Sequence, residues 1–119
     1  MVVLYGISNC DTVKKARKFL ESRAIDYRFH DFRKDGLSKA QVQTWLQTLG
    51  PDVILNKRSR TWKELSPAEQ TKAEGTQAAT VLSANPTLIK RPVLELLSGK
   101  TVSKRLVGFD PKQYLALSS

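Results

Sequence analysis

Residues 1–32 read MVVLYGISNCDTVKKARKFLESRAIDYRFHDF, and this stretch decides the fold. The first six residues form an apolar run that ends at Gly6, which is typical of a short buried strand. Apolar residues then recur at helical spacing over 12–23, with lysines and arginines on the other face. Residues 25–32 alternate as a strand does. A strand, a helix and a strand in this order predict a βαβ unit with two parallel strands and a right-handed crossover.

The middle of the chain carries helix signals instead of strand signals. Ser38 followed by Gln41 is a capping-box pattern, and 66–69, Ser-Pro-Ala-Glu, is a second N-terminal signal with proline in the first turn. A further short helix is predicted over 76–82. We therefore predict a helical insertion over residues 36–86.

Strand character returns after the insertion. Residues 87–97 and 100–109 are predicted to form an antiparallel pair joined at Ser98-Gly99-Lys100, and a final helix follows from Asp110-Pro111. The order of elements predicts an α/β sandwich around a mixed sheet of about four strands. We predict a single domain over 1–119.

Composition excludes several classes of protein. The 119 residues are 40% hydrophobic and include one cysteine, so neither a disordered chain nor a disulfide scaffold is expected. No apolar run reaches the length of a membrane span, and no secretory signal pattern is present. These features predict a cytoplasmic protein. The net charge is +9, but no aromatic-interleaved basic motif accompanies it, so a nucleic-acid partner is not favoured.

Cys10 lies where the first predicted strand gives way to the first helix. The free N–H groups and the positive dipole end of that helix favour a thiolate, which is the reactive form of cysteine. Lys14, one turn later, adds a positive charge on the same face. The alternative is an inert, packed cysteine, which is common in proteins.

A redox cycle through Cys10 requires a second thiol from outside the chain. Thioredoxin-type enzymes often carry C-x-x-C, in which the second cysteine resolves the mixed disulfide. Here Val13 occupies that position, and the chain has no other cysteine. If Cys10 is redox-active, glutathione is the expected cytosolic donor.

The segment Ile89-Lys90-Arg91-Pro92-Val93 interrupts a strand-like run with a proline. Proline cannot donate a ladder hydrogen bond, so it marks an edge strand, a bulge or a cis turn. The functional alternative is a cis-proline loop beside Cys10, with Arg91 binding an oxyanion or carboxylate through its planar guanidinium.

These motifs resemble the arsenate reductase (ArsC-like) superfamily of the thioredoxin fold. The pattern YGISNCDTVKKA, then YRFHD and IKRP, is most similar to its YffB subgroup. The resemblance implies a thioredoxin-like core over 1–35 and 87–119 around the insertion. It also implies a glutathione-dependent thiol reductase that acts on a small anionic or disulfide substrate. Another branch, Spx, implies the alternative of a non-catalytic regulator that binds RNA polymerase.

The chain departs from arsenate reductases proper at several positions. Those enzymes have a histidine four residues before the cysteine and an arginine four after it, where this chain has Gly6 and Lys14. Two of their three anion-binding arginines correspond to Asn56 and Phe109, and the third is present as Arg91. The resemblance therefore favours thiol chemistry over the reduction of arsenate.

We accordingly assign Cys10 as the catalytic nucleophile. The residues expected to bind substrate or glutathione are Asn9, Lys14, Lys57, Arg60, Arg91 and Pro92. The alternatives are that Asn9 and Ser8 only cap the first helix and that 57–60 is a solvated loop. His30 is a partner for Cys10 only if the fold brings the two together. No spacing of His, Cys, Asp and Glu is typical of a metal site, so no metal is predicted.

Overall fold

The structure, a computed structural model, describes residues 1–118 and contains four strands and seven α-helices in that range. The strands are β1 (Val2–Gly6), β2 (Tyr27–Asp31), β3 (Val93–Ser98) and β4 (Thr101–Val107). The helices are α1 (Asp11–Ser22), α2 (Lys39–Leu49), α3 (Pro51–Ile54), α4 (Arg60–Glu64), α5 (Pro67–Glu74), α6 (Ala78–Ala84) and α7 (Pro111–Leu115). None of the described helices is long and apolar enough to cross a membrane.

The four strands form one mixed sheet in the order β2-β1-β3-β4. β1 is parallel to β2 and antiparallel to β3, and β3 and β4 form a hairpin. The predicted βαβ unit and the predicted hairpin are therefore confirmed. Because Tyr5 pairs with Val93, the C-terminal end of β1 and the N-terminal end of β3 lie side by side at the same end of the sheet. The loop that contains Cys10 follows β1 at this end of the sheet.

Contacts divide the chain into two compact units, Met1–Asp35 with Arg91–Ser119 and Gly36–Lys90. In the first unit, one face of the sheet packs against α1 and α7. Each β-strand contributes alternate residues to the core, and α1 contributes residues one turn apart, as the sequence periodicities require. The buried core consists of Val2, Leu4, Ala16, Leu20, Leu94, Leu106 and Tyr114.

The second unit is the helical segment. α2 packs against α6, and α5 also packs against α6. Trp45 of α2 is fully buried. The capping box at Ser66 and Glu69 is complete, whereas Ser38 accepts from the Gln41 N–H without the reciprocal bond.

One predicted strand begins later than expected. Residues 87–92 do not belong to the sheet, and β3 starts at Val93. Pro86–Leu88 form a 3-10 turn, and Ile89 makes an isolated bridge with Leu55 in the helical segment. Leu88 and Ile89 are therefore buried in the core of the second unit. The Arg91-Pro92 peptide bond is cis.

Candidate functional site

Cys10 occupies the N-cap position of α1. Its backbone is extended, with φ −127° and ψ 124°, and its carbonyl accepts a hydrogen bond from the Lys14 N–H at 2.9 Å. Its side chain makes no capping bond and is partly exposed. The thiol is therefore accessible at the end of the helix where backbone N–H groups lack intrahelical partners. An anionic sulfur is stabilised at such a position.

Ser8 and Asn9 do not cap α1. The N-cap is Cys10 itself, so the capping alternative for both residues is wrong. Ser8 instead lies close to Asp31, and its N–H and hydroxyl help to lower the pKa of that carboxyl group. The reason is the register of the sheet, which places Asp31 at the end of β2 opposite Gly6. Asn9 is exposed beside Cys10.

Asp31 is a buried carboxylate beneath this loop, with 5% of its surface exposed. Burial alone raises its pKa, but hydrogen bonds from the N–H groups of Arg33 and Lys34 and from Ser8 outweigh burial. The pKa of Asp31 therefore lies below its ordinary value of 3.8. The carboxylate is charged at neutral pH and acts only as an acceptor.

Val13, at the position of a resolving cysteine, is fully buried. A Cβ atom added at Gly6 would lie 2.7 Å from the Val13 Cγ2 atom, which is closer than real contacts allow. The end of β1 and the first turn of α1 thus approach each other directly. This contact leaves no room for a side chain at residue 6.

Arg91 lies just before β3, in the same unit as Cys10. Its Nε and Nη1 atoms are buried and have no hydrogen-bond partner among the described residues. Pro92 is buried, and its carbonyl accepts a hydrogen bond from the Gly108 N–H at 2.8 Å. Buried guanidinium nitrogens without partners are costly, because a charge removed from water needs compensation. The arrangement is suited to an anionic ligand at Arg91.

The remaining predicted binding residues differ in their exposure and in their contacts with other side chains. Lys14 is exposed on α1, one turn after Cys10. Lys57 and Arg60 belong to the helical segment. Lys57 pairs with Glu74 at 2.5 Å and lies 5.6 Å from the centre of the Trp62 ring, so its ammonium group already has protein partners. Arg60 is exposed at the first position of α4.

His30 packs against Tyr5 from the neighbouring strand, with ring centroids 4.9 Å apart. Burial and the nearby Glu95 raise the pKa of Tyr5 to about 12, so this phenol stays neutral at neutral pH. Phe109, at the position of an arsenate reductase arginine, packs edge-on against Tyr114 at 4.9 Å. That position thus serves the aromatic core around α7. Across residues 1–118, no group of His, Cys, Asp or Glu could hold a metal ion.

Several known proteins are similar to this chain over nearly its whole length. An uncharacterized protein of Haemophilus influenzae is 45% identical over 116 residues, 98% of this chain and 97% of that protein. The structure of the YFFB (PA3664) protein matches with a TM-score of 0.89 at 36% identity and covers 100% of both chains. An arsenate reductase (ArsC) related protein from Brucella melitensis matches with a TM-score of 0.74 at 40% identity over 97% of this chain and 92% of that one. The predicted thioredoxin-like α/β fold is thereby confirmed.

The global transcriptional regulator Spx of Listeria innocua is a more distant relative. It is 29% identical over 96 residues, which cover 79% of this chain and 72% of that protein. By contrast, the sequence model of the ArsC family matches residues 5–117, nearly the whole chain. With Cys10 at the strand–helix turn and Arg91-Pro92 before β3, this chain belongs to the ArsC family.

Proposed function

We propose that this protein is a glutathione-dependent thiol–disulfide oxidoreductase with Cys10 as its only nucleophile. The observation that carries the proposal is the pairing of two features in one unit. Cys10 occupies the N-cap position of α1 with a partly exposed side chain, and the Nε and Nη1 atoms of Arg91 are buried without hydrogen-bond partners among the described residues. ArsC-family membership supports thiol chemistry at this position.

The reaction proceeds by two thiol–disulfide exchanges. In the first, the Cys10 thiolate attacks the glutathione sulfur of a mixed disulfide, so that a Cys10–glutathione disulfide forms and the substrate leaves as a thiolate. In the second, the thiolate of a free glutathione attacks the glutathione sulfur on Cys10 and releases oxidised glutathione and the Cys10 thiolate. The proton lost by glutathione is taken up by the departing substrate thiolate. No external electron carrier is needed.

Arg91 binds a carboxylate of glutathione in this proposal. Glutathione carries two carboxylates, and either one would supply acceptors to the Nε and Nη1 donors that lack partners among residues 1–118. The C-terminal end of β1 pairs with the N-terminal end of β3. The chain segments of Cys10 and Arg91 therefore lie at the same end of the sheet. Pro92 shapes the segment that faces the bound thiol, and Asn9 and Lys14 line the approach.

The test is the reduction of a small glutathione mixed disulfide, coupled to glutathione reductase. Wild type is expected to turn over, and Cys10→Ser is expected to have no activity because the chain has no other thiol. Arg91→Ala is expected to raise the KM for glutathione about tenfold with a smaller effect on kcat, because a charged hydrogen bond is lost. Lys104→Ala, an exposed cation on β4, is the matched control and should behave as wild type.

Two results would contradict the proposal. One is the absence of turnover by wild type, and the other is alkylation of Cys10 by iodoacetamide no faster than that of free glutathione at neutral pH. The alternative is an Spx-like role in which the chain binds RNA polymerase without catalysis. That role predicts that Cys10→Ser retains a purified RNA polymerase as fully as wild type does.

A further inference from the structure

β2 is the outermost strand on one side of the sheet, and part of its backbone faces no neighbouring strand. The N–H and C=O groups of successive residues alternate in direction along a strand. Just after β2, the Phe32 N–H donates to the Gly6 carbonyl of β1 at 2.8 Å. Tyr27 and Phe29 lie an odd number of residues before Phe32, so their backbone groups face away from β1. Outside the sheet ladder, these two backbones make no hydrogen bond within residues 1–118.

The turn after β2 closes one end of this edge. The backbone of Asp31 also faces away from β1, but its N–H donates to the Asp35 Oδ2 atom at 2.9 Å. The Asp31 carbonyl accepts from the Asp35 N–H at 2.8 Å. Tyr27 and Phe29 therefore retain the outward N–H and C=O groups that no turn satisfies. We call residues 27–29 the open edge.

A cavity of about 370 Å³ lies at the open edge. It is lined by Arg28, Phe29, His30 and Asp35, which all belong to the first unit. Successive side chains of a strand point to opposite faces of the sheet. A cavity lined by three successive residues of β2 therefore opens along the side of the strand and not on one face. An additional strand would occupy this space.

The aromatic side chains of the open edge are held on one face of the sheet. The Arg17 Nε atom donates to the Tyr27 hydroxyl at 3.0 Å, and the Arg17 guanidinium lies 4.3 Å from the centre of the Phe29 ring. Both rings are half-buried. Residues placed opposite them on an added strand would contact an ordered apolar surface, which suits β-branched side chains.

Arg28 lies at the centre of the open edge and points to the other face. It is exposed and forms no ion pair within residues 1–118. If two copies of β2 paired antiparallel with all four outward groups bonded, residue 27 would lie opposite residue 29. The two Arg28 side chains would then be directly opposed, and like charges in this arrangement are destabilising. The open edge therefore favours a strand with an acidic centre over a second copy of itself.

We propose that the open edge of β2 binds an extended, acidic segment of another protein, which joins the sheet as a fifth strand. The segment runs antiparallel to β2, with an acidic residue opposite Arg28 and β-branched residues opposite Tyr27 and Phe29. In this register its backbone bonds all four outward groups. The acidic residue occupies the non-hydrogen-bonded pair, where opposed side chains lie closest. Binding at this edge requires neither Cys10 nor glutathione.

The test uses two acetylated and amidated peptides. One has the sequence Ser-Thr-Val-Glu-Val-Thr-Ser, and the other has lysine in place of glutamate. Each peptide is titrated into the isotope-labelled full chain, and the chemical shifts of the backbone amides give the dissociation constant and the place of binding. Both sequences are symmetric about their centre, so the charged residue lies opposite Arg28 whichever way the peptide runs.

The glutamate peptide is expected to shift the amides of Tyr27 and Phe29 most and to bind about threefold to tenfold more tightly than the lysine peptide. Arg28→Glu should reverse this preference, because it exchanges the attractive pair for a repulsive one. Lys104→Glu is the matched control, with the same change of charge at an exposed position on β4, the opposite edge strand. It should keep the wild-type preference.

The comparison of the two peptides on wild type requires no substitution, so it decides even if Arg28→Glu does not fold. Equal affinities of the two peptides for wild type would overturn the inference, and so would the absence of any shift at Tyr27 and Phe29. Largest shifts on β4 would assign binding to the other edge of the sheet. Shifts of Tyr27 and Phe29 that change with protein concentration alone would assign the open edge to a second copy. Either assignment would also overturn the inference.

Discussion

At the scale of single residues, Gly6 and Val13 are coupled. The Cβ position of Gly6 lies 2.7 Å from one methyl group of Val13, and Val13 is fully buried. Neither residue can grow without moving the other, because a buried contact at this distance has no room to relax. The glycine that departs from the arsenate reductase pattern is thus a packing requirement of this chain.

Gly6→Ala is expected to destabilise the protein by about 1–3 kcal/mol, the usual cost of overpacking a core. Urea unfolding followed by circular dichroism measures it. In a Val13→Ala background the clash is removed, so the additional cost of Gly6→Ala should fall below about 0.5 kcal/mol. Gly75→Ala is the control, because the nearest atom to its Cβ position is a carbonyl oxygen at 3.4 Å. Equal costs of Gly6→Ala in both backgrounds would contradict the coupling.

At the scale of elements, the sequence predicts well those helices and turns that are determined by interactions between residues close together in the chain. The predicted helix 12–23 is observed as Asp11–Ser22, and the turn predicted at 98–100 joins β3 to β4. These elements carry their own periodicity, caps and turn residues. The sequence accordingly places Cys10 correctly at the start of a helix, although its catalytic role stays a prediction.

Elements that depend on distant partners are predicted less well. Residues 87–89 have strand-like composition, but Ile89 pairs with Leu55, a pairing that no local signal indicates. The five-residue helix α4 is too short to show a period, although Ser59 caps it by accepting from the Trp62 N–H at 3.1 Å. The sequence does not identify Asp31 as a partner of the Cys10 loop, because the register of β1 and β2 creates that contact.

Helix α1 carries an unneutralised basic face next to Cys10. Lys14 and Lys18 follow Cys10 at intervals of four residues, so the three side chains lie along one side of the helix. Both lysines are exposed, and within residues 1–118 neither forms an ion pair. Glu21, near the end of the helix, instead accepts from the Tyr27 hydroxyl at 2.5 Å. This face should attract anionic substrates toward the thiol.

Lys14→Glu with Lys18→Glu is expected to lower kcat/KM for a glutathione mixed disulfide about threefold to tenfold at low ionic strength. The deficit should shrink as salt is added, because exposed charges are screened within about 10 Å at 0.1 M. Steady-state kinetics between low and high salt measures both effects. Lys100→Glu with Lys104→Glu is the matched control, because it changes the net charge equally at exposed positions on the β3–β4 hairpin. An equal loss in both pairs would assign the effect to net charge alone.

At the scale of the whole molecule, the chain is a monothiol protein. The 119 residues contain one cysteine, so each chain can form at most one mixed disulfide and cannot form an internal disulfide. The helix that carries Cys10 nevertheless places residue 13 on its first turn, at the spacing of a C-x-x-C motif. The difference between a monothiol and a dithiol cycle is then a single side chain.

Val13→Cys should therefore change the monothiol cycle into a dithiol cycle. Residues three apart at the start of a helix lie within the range that a disulfide spans, so the thiol introduced at position 13 would displace glutathione from Cys10 within the chain. Oxidised glutathione should then leave wild type with a stable adduct and the variant with an internal disulfide, which intact-mass spectrometry distinguishes. Val13→Ser is the control, because it shortens the same buried side chain without adding a thiol. A persistent glutathione adduct on the Val13→Cys protein would mean that the first turn of α1 holds residue 13 away from Cys10.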